Sequence, residues 1–143
     1  MQSIQKEIVI FGSRTLQPDC RDIDYYAAGV LGKRIDQFVA DWPDVTVISG
    51  MAKGVDTKAV DWAYSRNTFL KRMPADWGTH GKVAGLLRNQ EMCDVATHWL
   101  CFWDGESTGT KDMLKRVLQK GIPGCMIVMK PEKLQPPPKL FGV

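Results

Sequence analysis

A chain of 143 residues has the length at which one hydrophobic core is the default, and a domain of that size hides about 70% of the surface its unfolded chain exposes. Hydrophobic residues at 44% and charged residues at 24% exclude a disordered chain. Nineteen Lys and Arg against sixteen Asp and Glu leave a formal charge of +3, scattered rather than grouped, which lends nothing to a nonspecific nucleic-acid surface.

The run Glu7-Ile-Val-Ile-Phe-Gly12, apolar and β-branched, stops at a glycine as a fully buried parallel strand does. Ile23, Ala27, Val30, Leu31, Ile35, Phe38 and Val39 then recur at helical spacing over 19–42, with Trp42 as an anchor and Pro43-Asp44 as the stop. Val45-Thr-Val-Ile-Ser-Gly50 repeats the design of the first strand, and a helix over 56–65 turns Ala59, Val60, Trp62 and Ala63 inward. Phe69-Leu-Lys-Arg-Met73 is a weaker strand closed by Pro74. The stretch 76–81 reads as a loop, and 82–96 as a helix carrying Val83, Leu86, Leu87 and Val95.

His98-Trp-Leu-Cys-Phe-Trp103 is a fourth strand, 104–110 a polar loop, 111–119 a helix stopped by Gly121, and Cys125-Met-Ile-Val-Met129 a fifth strand. Alternating strands and helices predict βαβ units, hence a Rossmann-like three-layer α/β fold with a five-stranded, mainly parallel sheet. The expected organisation is one domain over 1–130 and a Pro-rich tail over 131–143. Cys20, Cys93, Cys101 and Cys125 show no C-x-x-C spacing and form no zinc pattern with His80 and His98, so buried thiols of a cytoplasmic protein are expected. The first residues lack the apolar core of a signal peptide, and no apolar run approaches the ~20 residues of a membrane span.

In open parallel sheets, ligands bind outside the carboxyl ends of the strands. Behind the first strand, Gly12-Ser13-Arg14 offers close backbone approach, a hydroxyl and a guanidinium for phosphate, or else a plain turn. Behind the second, Ser49-Gly50-Met51-Ala52-Lys53-Gly54-Val55-Asp56 leads into a helix whose free N–H groups can receive an anion. Asp56 is there either as the helix cap or as the acceptor of a ribose hydroxyl. Asp76 and Trp77, behind the third strand, either hold a base or second ribose or staple their loop. Behind the fourth, Gly105-Glu106-Ser107-Thr108-Gly109-Thr110 is rich in donors at another helix start.

These motifs, together with Pro74-Ala-Asp-Trp77, Gly81-Lys-Val-Ala-Gly85 and Arg88-Asn89-Gln-Glu-Met92, resemble the YspA, or cpYpsA-related, branch of the SLOG group of Rossmann-like proteins. That group is related to the LOG lysine-decarboxylase-like proteins and to the DprA domain. The resemblance runs from Gly12 to about Val128 and implies a pocket for a nucleotide or nucleotide-derived small molecule, with Arg88 and Asn89 joining the loop residues. LOG phosphoribohydrolases cleave the N-glycosidic bond of a nucleoside monophosphate with an arginine, in a motif similar to Leu86-Leu-Arg88-Asn-Gln-Glu-Met92, and a glutamate three residues after a Gly-Thr pair. Here that count from Thr110 reaches Met113, which can neither take a proton nor stabilise an oxocarbenium ion.

In an enzyme, Arg88 and Glu91 would be the catalytic residues, Glu91 lying one helical turn beyond Arg88 and expected to pair with it. The expected function is binding, as a sensor or sequestering protein, with nucleotide N-glycosidase chemistry and DprA-like single-stranded DNA binding as alternatives. Mg²⁺ accompanying a nucleotide is the one metal envisaged. A second copy of the chain is a candidate partner; a membrane or a nucleic acid is not expected.

Overall fold

The computed structural model describes residues 5–14 and 31–128 of the chain. Five strands, β1 (Lys6–Gly12), β2 (Val45–Ser49), β3 (Phe69–Arg72), β4 (His98–Trp103) and β5 (Gly124–Val128), form one sheet in the order β3-β2-β1-β4-β5. All four neighbouring pairs are parallel. Each strand lies within about one residue of its sequence expectation, because an apolar run between turn formers has little room to slide. Met129, Cys20, the first part of the helix expected over 19–42, and the tail over 131–143 lie outside the described residues.

The helices are α1 (31–38 among the described residues), α2 (Val55–Ser65), the single turn α3 (Trp77–His80), α4 (Ala84–Val95) and α5 (Thr108–Lys120). Alternate residues of β1 face opposite layers. Ile8 and Ile10 pack with Val47, Leu100 and Phe102 against Leu31 and Ile35 of α1 and Ala59, Trp62 and Ala63 of α2. Val9 and Phe11 pack with Ile48, Trp99 and Cys101 against Met92 and Cys93 of α4 and Met113 and Val117 of α5. Each such fully buried side chain contributes about 1.5–3 kcal/mol, whereas exposed ion pairs such as Lys71–Glu7 add little. The two apolar layers therefore hold the fold.

Three sequence expectations change. The stretch 76–81 is not loop throughout: Asp76 Oδ1 accepts the Thr79 N–H at 3.1 Å and caps α3. Helix α4 turns Val95, Leu86 and Leu87, with Val83 before it, outward, and buries Ala84, Asn89, Met92 and Cys93. Small Ala84 lets the helix approach the sheet, and the inward face must also carry Arg88 and Asn89 into polar contacts, so the leucines lose the competition for it. Cys125 is exposed on the edge strand β5, unlike the buried Cys93 and Cys101.

The chain runs from β1 to β2 and β3 on one side and to β4 and β5 on the other, so a crevice opens where β1 and β4 end. Gly12 is paired there with Phe102. A Cβ on Gly12 would collide with the Phe102 carbonyl oxygen and lie 2.7 Å from Val55 Cγ2. Among the described residues, no helix is long and apolar enough to cross a membrane. Gly12→Ala should cost roughly 3 kcal/mol or more, as overpacking of a closed interior does. Gly109→Ala, where a Cβ meets nothing within 4 Å, should cost nothing measurable. Urea denaturation of both variants checks this, and an unchanged midpoint for Gly12→Ala would refute the packing described.

Candidate functional site

Ser13, fully buried behind β1, ties three elements together. Its N–H donates to the Phe102 carbonyl at 3.0 Å, its carbonyl accepts the Val55 N–H at 3.4 Å, and its Oγ accepts the Asp104 N–H at 2.7 Å. Asp104, buried at the end of β4, in turn accepts the Glu106 and Ser107 N–H groups on Oδ1, each at 2.8 Å. Gly105 between them has φ +88, the left-handed region that favours glycine. This turn delivers the chain to Ser107, the N-cap of α5.

Helix α5 starts three residues earlier than its sequence pattern suggests, so Thr108, Gly109 and Thr110 are its first turn rather than loop. Ser107 makes no side-chain cap, and the first internal bond runs from Lys111 N–H to the Ser107 carbonyl at 3.1 Å. The N–H groups of Thr108, Gly109 and Thr110 have no acceptor among the described residues, and all three residues line the crevice. Free amides at the positive end of a helix dipole make a seat for an anion.

The start of α2 is arranged differently. Its N-cap is Gly54, with φ +80 and no side chain to cap with, and Asp56 lies inside the helix. A Cβ on Gly54 would strike the Ser13 carbonyl oxygen and lie 2.8 Å from Arg14 Cα, so this glycine serves packing of the two loops. Asp56, buried, folds back so that Oδ2 accepts the Ala52 N–H at 3.2 Å. Its backbone carbonyl accepts from Ser49 Oγ at 3.2 Å, and Ser49 Oγ accepts the Met51 N–H at 3.1 Å. Helix α2 thus places a buried carboxylate in its first turn, tied to the loop that leads into it. Burial pushes the Asp56 carboxyl up to about 6, against the pull of the Ala52 N–H and of the Arg88 and Arg14 charges.

Arg88 reaches from α4 across Gly50. Its Nη1 donates to the Gly50 carbonyl at 2.6 Å and its Nε to Asn89 Oδ1 at 3.2 Å. A Cβ on Gly50 would stand 2.6 Å from Arg88 Nη1, so the glycine makes space for the guanidinium. Burial lowers the Arg88 pKa while the Asp56 charge supports it. Asn89 Nδ2 donates to Asp112 Oδ2 at 3.0 Å and to the Gly109 carbonyl at 3.4 Å, which registers α4 against the first turn of α5. Burial raises the Asp112 pKa, but hydrogen bonds from Arg116 and Asn89 outweigh it and hold the carboxyl below its ordinary value.

These elements surround a cavity of about 280 Å³. Phe11, Met92 and Met113 form its apolar floor, Arg14, Lys82 and Arg88 bring positive charge, and Asp56 is the one acidic residue on its wall among the described residues. The Trp77 ring stands over Gly85, with a Cβ there only 3.3 Å from Cη2. Of the sequence-derived candidates, Gly12, Arg14, Ala52, Asp56, Trp77, Arg88, Asn89, Ser107, Gly109 and Thr110 meet here. Ser13, Ser49, Gly50, Gly54, Asp76 and Gly105 stand behind the wall, where they hold the loops in the ways described.

Glu91 is exposed and makes no ion pair with Arg88, contrary to expectation, because the Gly50 carbonyl and Asp56 draw the guanidinium inward. Sequence reading passed over Asp104 and Lys82. The first is legible as an Asx turn, Asp-Gly followed by Glu and Ser; an exposed lysine on a loop carries no such signal.

A carboxyl whose folded pKa lies above its unfolded value near 3.8 keeps its proton more firmly in the native state. Its contribution to stability is therefore greatest below about pH 4 and falls by roughly 3 kcal/mol as the pH rises to about 6. Asp56→Asn should remove that decline relative to the wild-type chain. Denaturation midpoints measured across this range decide it, and parallel profiles for the two chains would mean that Asp56 ionises freely.

A family model for the YspA, cpYpsA-related SLOG family (YAcAr) matches residues 7–80, from β1 through Trp77 to the end of α3. Among curated proteins, the Gene 61 protein of Mycobacterium phage D29 is 38% identical over 85 residues, which cover 55% of this chain and 68% of that one. Among solved structures, DNA processing protein A (DprA) from Streptococcus pneumoniae superposes with a TM-score of 0.66 at 16% identity, over 90% of this chain. The chain spans about half (52%) of that DprA structure, and the likeness concerns the fold alone. The family match takes in more than half of the residues, including the loops behind β1 and β2, so the chain belongs to the YspA, cpYpsA-related SLOG family.

Proposed function

We propose that the cleft binds the phosphate of a nucleotide or nucleotide-derived small molecule, and that the protein acts as a sensor or sequestering module for it. The observation that carries this reading is the first turn of α5, whose three amides have no acceptor among the described residues and whose residues line a cleft that also presents Arg14, Lys82 and Arg88. Charge-assisted hydrogen bonds of this kind contribute about 1.5–3 kcal/mol each. Trp77 offers a flat apolar wall for a base, and Phe11, Met92 and Met113 a dry floor.

Binding without turnover is favoured by Met113, buried in the floor at the position where the LOG-type glutamate would stand, and by the place of Glu91 outside the cleft. A role on single-stranded DNA, as the fold of a DNA processing protein suggests, would call for a groove with several stacking aromatics. Among the described residues, Trp77 is the one aromatic beside Phe11 on the cleft wall.

Denaturing freshly purified protein and identifying released nucleotides by mass spectrometry names the ligand, and calorimetry on that compound measures its affinity. Gly109→Val, at a position where an added Cβ meets nothing within 4 Å, should leave the fold intact and weaken binding at least tenfold by crowding the amide seat. Arg14→Ala should weaken it by roughly 1.5–3 kcal/mol. Unchanged affinity in both variants would place the phosphate elsewhere, and free base released from the bound compound would replace binding with catalysis.

A further inference from the structure

We propose that Asp56 selects a ligand carrying vicinal hydroxyls, a ribose phosphate in preference to its 2-deoxyribose counterpart. This rests on the reading of the cleft as a phosphate seat. Asp56 is only 5% exposed, yet it lines the cleft. Oδ2 accepts the Ala52 N–H at 3.2 Å, and Oδ1 has no hydrogen-bond donor among the described residues. A buried carboxylate oxygen without a donor is unstable unless something else supplies one.

The donor must be neutral. Arg14, Lys82 and Arg88 border the same space and repel a cationic ligand group. Arg88 does not meet the need as it stands, since its hydrogen bonds run from Nη1 to the Gly50 carbonyl and from Nε to Asn89, and none reaches Asp56. Two adjacent hydroxyls suit the two oxygens of a carboxylate, one free and one with a remaining lone pair.

Topology sets the rest of the ligand. Helix α2 follows β2 and α5 follows β4, and β1 lies between those two strands. A phosphate on the first turn of α5 and hydroxyls on Asp56 therefore sit on opposite sides of the β1 end, and the molecule bridges the point where the strand order reverses. A sugar bearing phosphate at one end and a diol at the other matches that span.

The test compares ribose 5-phosphate with 2-deoxyribose 5-phosphate, and adenosine monophosphate with its 2′-deoxy form, by titration calorimetry on the wild-type chain and on Asp56→Asn. The wild-type chain should prefer each ribose compound tenfold or more, the scale of one charge-assisted hydrogen bond. In Asp56→Asn, which can still accept the Ala52 N–H, the preference should fall to about threefold or less. Equal binding of ribose and deoxyribose compounds by the wild-type chain would overturn the role of Asp56 and leave the phosphate seat standing. An undiminished preference in a variant with an unchanged circular dichroism spectrum would also overturn that role. Failure of all four compounds to bind would overturn the phosphate seat and this inference together.

Discussion

Every part of the cleft hangs on the closeness with which the ends of β1 and β4 and the start of α2 meet around Ser13. Its three polar atoms are each used once, toward β4, toward the turn behind β4 and toward α2. Gly12 and Gly54 on either side leave no room for a Cβ, so the three strand-end loops cannot drift apart or be filled by side chains. Fixed loops mean that a ligand meets groups already in place, and little ordering has to occur on binding. The serine that looks like a phosphate donor in the sequence is thus better understood as the joint that holds the loops of the cleft together.

The two helix starts that face the cleft are unequal. Asp56 in the first turn of α2 holds the Ala52 N–H of the loop before it, and the first three amides of α5 have no acceptor among the described residues. A carboxylate near one helix start and bare amides at the other give the crevice a polarity, so an elongated anion has one favourable orientation. Arg88 sits between the two, supported by Gly50 and balanced against Asp56. Such a buried pair does little for stability in itself, since desolvation of both groups offsets their attraction.

Most of the framework was legible from residues alone. The strands announce themselves because a buried parallel strand must be apolar along its whole length, as Ile8 through Phe11 and Trp99 through Phe102 are. Helix α4 was misread on its faces because its apolar residues Leu86, Leu87 and Val95 point outward, while a serviceable buried face needs only Ala84, Met92 and Cys93 beside Arg88 and Asn89. The start of α5 was misplaced because Thr108, Gly109 and Thr110 look like loop by composition, yet the Asp104 turn bends the chain into a helix at that point. For Asp56 the sequence leaves helix cap and ribose acceptor both open, because the actual cap, Gly54, has no side chain to announce itself.

The floor and the rim of the cleft divide the work of recognition in time. Arg14 and Lys82 are exposed on the rim, where their field reaches outward and dissolved salt screens it. Phe11, Met92 and Met113 set apolar surface beside the amides of α5, where fixed dipoles are screened less than charges on the rim. For an anion bound as proposed, ionic strength governs its arrival and those dipoles the length of its stay.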